Sequence, residues 1–86
     1  MTFPVTESQN YKNITSTTTV YTGTGGLLGI FVASTSGGTL KVNDGASTMV
    51  NTFTPVAATF YALPGRFNTS LVVTVTGTLD CTVFWN

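Results

Sequence analysis

The chain reads as an all-β protein, a small β-sandwich of seven to eight short strands. Three observations lead there. Nineteen of the 86 residues are threonine, and threonine, with valine, phenylalanine and tyrosine, suits a pleated, half-buried surface. Apolar and polar residues alternate at a period of two in several runs, and no stretch of useful length has helical periodicity. Turn signals separate these runs at intervals of about 8 to 12 residues, the spacing of a sandwich or small barrel. Strand count does not choose between jelly-roll and Greek-key connectivity.

Residues 1 to 13 lack sustained periodicity, and Pro4 removes a backbone donor, so this segment is expected to be an N-terminal arm or a loosely tied first strand, made sticky by Phe3, Val5 and Tyr11. The single domain is then 14 to 86. Ile14 to Tyr21 is β-branched almost throughout and predicts the first strand. After Gly23, Gly25 and Gly26, Leu27 to Thr35 is the most apolar strand, with Leu28, Ile30 and Val32 on one face and Leu27, Phe31 and Ala33 on the other. Such a strand suits a central position covered on both sides, by a second layer or by a partner subunit. Gly37-Gly38 predicts a turn. Thr39 to Asn43 follows with Leu40 and Val42 inward, and Asp44-Gly45 predicts a tight turn. Thr48 to Thr54 is a strand that Pro55 ends or confines to an edge, and Thr59 to Leu63 is one stopped by Pro64-Gly65. A hairpin closes the domain: Leu71, Val73 and Val75 alternate with Val72, Thr74 and Thr76, Gly77-Thr78 turns, and Leu79, Cys81, Val83 and Trp85 share one face.

Composition narrows function. Three Lys/Arg and three Asp/Glu balance to zero, and histidine is absent. Three isolated cations cannot neutralise a row of phosphates, so nucleic acid is not an expected partner. The longest apolar run, Leu27 to Ala33, falls far short of the ~20 residues of a spanning helix, and no secretory signal pattern opens the sequence, so no membrane is expected. Cys81 is the one cysteine, which rules out an intrachain disulfide, and a lone thiol without histidine cannot build a zinc site. A domain of this size has a modest stability margin, and association is the remaining way to enlarge it.

No catalytic, cofactor or metal site is expected, and the protein is read as not an enzyme. Asp44 and Asp80 could flank a glycosidic bond, but one precedes a turn glycine and the other follows a turn on an outward face. Calcium would require more carboxylates close together. Cys81 lacks a base to hold it as thiolate, and the serines lack one too. Gly23-Thr24-Gly25-Gly26 lacks the Lys and helix of a phosphate loop. The sequons at Asn13 and Asn68 are read as chance in a threonine-rich chain. Tyr11, Tyr21, Tyr61 and Trp85 could form a sugar-stacking platform, although Trp85 is in phase with the core, and tyrosines serve protein interfaces equally well.

From Val20 to Trp85 the strand-and-turn pattern is familiar. Leu28-Gly29-Ile30-Phe31-Val32-Ala33-Ser34, Gly38-Thr39-Leu40-Lys41-Val42-Asn43-Asp44-Gly45, Tyr61-Ala62-Leu63-Pro64 and Gly77-Thr78-Leu79-Asp80-Cys81-Thr82-Val83 resemble small structural proteins of tailed bacteriophages. These patterns carry no signature residue, and the arm lies outside them. The resemblance implies a virion component assembled in the bacterial host cytoplasm. Its first form is a capsid decoration or cement protein that binds and stabilises the head shell; tail or head-fibre parts come next, and a receptor- or carbohydrate-binding module is the alternative from another class. The expected partners are the major capsid protein or other virion proteins and further copies of the chain, in a homotrimer. The residues expected at interfaces are Phe3, Val5, Tyr11, Tyr21, Leu27, Phe31 and Tyr61.

Overall fold

The structure, a computed structural model, describes residues 10–86. Phe3 and Val5, with the rest of the segment before Asn10, lie outside the described residues. Six strands form one open sheet that does not close into a barrel: β1 (Asn10–Ile14), β2 (Thr18–Thr22), β3 (Gly25–Asp44), β4 (Ser47–Phe53), β5 (Thr59–Phe67) and β6 (Ser70–Trp85). Its spine is the antiparallel pair β3 and β6, in register from Leu27 opposite Trp85 to Asp44 opposite Leu71.

That spine cannot be straight. Twenty residues of extended β3 would span about 66 Å. Yet Phe67 pairs with Gly25 at the start of β3, and the next residue, Asn68, donates its N–H to the Asp44 carboxylate at the other end, 2.9 Å away. The β3–β6 ribbon is therefore folded over on itself. Register shifts between Val32 and Ser34 and between Ser36 and Gly37 mark the fold, where extra residues on β3 bend the strand as bulges do.

Folding produces two leaves that share one core. In the first leaf, β5 and β1 flank the early half of β3 and the late half of β6; in the second, β4 and β2 flank the remaining halves. The inner faces contribute Leu27, Ile30, Val32, Leu40 and Val42 from β3 and Leu71, Val73, Leu79, Cys81, Val83 and Trp85 from β6, with Ile14 and Phe67 at the margins. Each large aliphatic side chain so buried contributes about 1.5–3 kcal/mol. Across the leaves, the Tyr21 ring lies 6.2 Å from Phe67 and 6.3 Å from Trp85. The arrangement is sandwich-like.

Several sequence expectations change. Gly77-Thr78 is not a hairpin turn: residues 71–76 and 79–85 are one strand, whose halves pair with β3 rather than with each other. Gly37-Gly38 likewise lies inside β3. The run 14 to 21 is interrupted at residues 15–17, and the sheet takes in Asn10 to Asn13, assigned above to the arm. Pro64-Gly65 does not stop β5, because Pro64 sits in an edge strand where Leu63 and Pro64 stand opposite the single residue Leu28, and a missing N–H is tolerated in such a bulge.

The fold depends on Gly77, which has φ 82° and whose missing Cβ would come within 2.8 Å of the Gly37 carbonyl. Gly37 has φ 69° but open space around its own missing Cβ. Gly37→Ala should cost about 1–2 kcal/mol from backbone conformation alone, and Gly77→Ala more than that. Urea denaturation of the two variants checks the order.

Candidate functional site

The residues with the most chemical potential are held in structural roles. Asp44, at the end of β3, accepts backbone hydrogen bonds from Asn68 (2.9 Å), Thr69 (2.8 Å) and Ser70 (3.3 Å), tying the β5–β6 connection to the other leaf. These donors hold its carboxyl below the ordinary value of 3.8, with partial burial opposing them. Asp80 lies opposite Ser34 near the fold, and its Oδ1 accepts a 2.7 Å hydrogen bond from the Asn13 amide. Asp44 ends β3 at the open end of the ribbon whereas Asp80 lies on β6 near the fold, so the two do not flank a shared space as a glycosidase pair must. Cys81 is fully buried, and loss of hydration, reinforced by the Asp80 charge, pushes its thiol up to about 11. Among the described residues, no three His, Cys, Asp or Glu side chains group to hold a metal, and no helix is long and apolar enough to cross a membrane.

The postulated platform of Tyr11, Tyr21, Tyr61 and Trp85 is not assembled. Trp85 is core. Tyr21, 44% exposed, stands opposite Leu71 and closes the core's open end over Trp85 and Phe67; a bulge at Val20 sets this phase. Tyr61 packs against the core edge-on to Phe53, ring centres 5.2 Å apart, and its hydroxyl accepts the Val56 N–H at 2.8 Å. Leu27, expected at an interface, is 1% exposed: the register shift between Leu27 and Gly29 reverses its side relative to Phe31 and turns it into the core.

A different aromatic cluster occupies the outer face of the first leaf. Cross-strand partners share a face, and two adjacent rows run across the four strands there. One is Tyr11, Phe84, Gly29 and Ala62; the other is Asn13, Thr82, Phe31 and Phe60. Phe60 leans over Gly29, where any Cβ would collide with its ring and with the Tyr61 carbonyl. This brings Phe60 edge-on to Phe84, with ring centres 6.1 Å apart. Tyr11, Phe60 and Phe31 are 74%, 50% and 37% exposed.

The outer face of the second leaf is different in kind. Its rows carry Thr19, Val72 and Asn43, then Thr74 and Lys41, with Thr48 beside Asn43. One face of the molecule is thus aromatic and the opposite face is mostly hydroxyl and amide. Of the sequence-selected residues, Tyr11 and Phe31 belong to the aromatic face. Phe60 and Phe84 escaped notice; Phe84 was already out of phase with the core residues of its strand, but only the pairing of β5, β3, β6 and β1 gathers all four rings.

Comparison with protein-family models, with curated proteins and with solved structures returns no match. The function must be argued from this surface. It offers apolar area and ring faces of the kind that interaction surfaces use.

Two measurements probe the structural roles. Because the native fold holds the Asp44 carboxyl low, its ionised form contributes stability above the ordinary carboxylate pKa, and this is lost as pH falls through the lower native value. Asp44→Ala should therefore lower the melting temperature at neutral pH, with the gap from wild type closing on acidification below the carboxylate range. Cys81 should resist maleimide at pH 7 in native protein and react readily in denaturant; rapid native labelling would contradict its burial.

Proposed function

We propose that this chain is a non-enzymatic structural protein of a virion, a decoration or cement protein that seats on the phage head shell and stabilises it. The observation that carries the reading is the sidedness of the folded sheet. An apolar aromatic face lies opposite a threonine- and asparagine-bearing one, and the chain's six charged side chains offer little repulsion between copies. A protein that lies on a shell needs one face for the shell and one for water. Exposed apolar patches rimmed by polar residues mark interaction surfaces, and an interface of about 800 Å² per partner can outweigh the margin of a small domain.

The pairing order gives further support. Counted through the fold of the ribbon, β3 and β6 each supply two segments, giving eight in all. The order is β1, late β6, early β3, β5 in one leaf and β2, early β6, late β3, β4 in the other. We read this as a jelly roll, an architecture used by viral capsid and lectin domains. Fold alone does not assign function, and the resemblance of the strand-and-turn segments to phage structural proteins points the same way.

Tyr11, the most exposed ring of the cluster, favours a second reading as a carbohydrate-binding or receptor-binding module at a fibre tip, since sugars stack on such faces. Quantitative mass spectrometry of purified particles separates the readings. Copies in numbers matching the shell lattice support decoration, a handful per particle supports a tail or fibre part, and absence from particles overturns both. A glycan array should give no signal for a decoration protein, whereas a tip module should give one that is lost in Tyr11→Ser.

A further inference from the structure

We propose that the aromatic face receives the segment Phe3-Pro4-Val5 from a second copy of this chain, so that copies join arm to face in a closed assembly. The inference rests on reading that face as adhesive; three extended residues cover about 10 Å of it and leave the remainder of the four-strand face to the shell. Nine residues precede Asn10, a reach of about 30 Å when extended. They lead into β1, the strand that borders the face.

Direction favours a neighbour over the chain's own face. Asn10 stands opposite Trp85 at the open end of the leaf, while Phe31 and Phe60 lie in the row of Asn13, further towards the fold. A segment entering β1 from beyond the open end would have to double back to cover its own face. Residues 2–9 contain no Gly, Asn or Asp to supply the positive φ of the tightest reversals. Pro4 disfavours the helical region for the residue before it, Phe3.

The chemistry of the segment fits the face. In extended form Phe3 and Val5 point the same way about 6.6 Å apart, the spacing of the Tyr11–Phe84 and Phe31–Phe60 rows, which are also two residues apart along each strand. Pro4 has no N–H to leave unpaired, and the three residues carry no charge, so seating them on the rings sacrifices no ion hydration. Arm and face are different surfaces, and mutual exchange of arms closes the assembly, as a two-fold pair or as a larger ring.

Native mass spectrometry of the full chain tests this with two double variants, Phe3→Ser/Val5→Ser and Phe31→Ser/Phe60→Ser. Wild type should be a closed oligomer and each variant alone a monomer. An equimolar mixture should form a one-to-one heterodimer, because one variant keeps its arm and the other its face. Trp85, the sole tryptophan and buried, reports by blue-shifted emission that the variants are folded. Should the Phe31→Ser/Phe60→Ser chain fail that check, excess peptide of sequence 1–9 should dissociate wild-type oligomers while a scrambled peptide leaves them intact. A monomeric wild type, an arm variant that still associates like wild type, a mixture of folded variants that stays monomeric, or oligomers indifferent to the peptide would overturn the exchange. A monomer found on particles in shell-matching numbers would remove the exchange and leave decoration standing.

Discussion

The continuous pairing of β3 with β6 is the constraint on which everything else hangs. Each of the other four strands pairs only with one half of this ribbon, and the shared core exists because the ribbon is doubled over. Once Leu40 and Val42 are turned to face the Ile30 and Val32 end of the same strand, one chain supplies both walls of its interior. The bulges at the fold and the Asp44 carboxylate at the open end act on opposite sides of the same problem. The bulges let the ribbon bend, and Asp44 keeps its ends together by gripping the backbone of residues 68–70.

Doubling the ribbon also decides what the outside offers. Because side chains alternate across a strand, placing one set of β3 and β6 residues inside commits the other set to the two outer faces. In the early half of β3 and late half of β6 that other set includes Phe31 and Phe84; in the opposite halves it includes Lys41, Asn43, Thr74 and Thr76 with the one apolar residue Val72 among them. The strongly apolar character of Leu27 to Ala33 on both faces thus has two sources. One is the interior, and the other is a surface suited to contact.

Much of this was legible in the residues. Alternation in Leu79, Cys81, Val83 and Trp85 and in Leu40 and Val42 correctly marked the core, and Pro55 lies just past the end of β4. Glycine positions were located well but given the wrong meaning, since Gly77 and Gly37 permit a bend within a strand as readily as a turn between strands. Telling the two apart requires knowing which strand lies alongside, information that resides in contacts such as Asn13 to Asp80, 67 residues apart. Phase failed at the bulges, and that is why Leu27 and Tyr21 face directions a simple period of two does not give. The aromatic cluster needed four strands brought together from distant parts of the chain.

β6 has a consequence for how the molecule is made. It is synthesised after the other five described strands, yet β1, β2 and β3 all take it as a neighbour, and no alternative partner joins β1 or β2 to the sheet beforehand. On the ribosome the earlier strands must wait with unpaired edges until residues 70–85 emerge, so assembly is a late, concerted event with a large loop-closure cost. Until then the sparingly charged nascent chain holds Leu27 to Ala33 without its β6 neighbour, the kind of exposed apolar edge that makes a folding intermediate prone to aggregate.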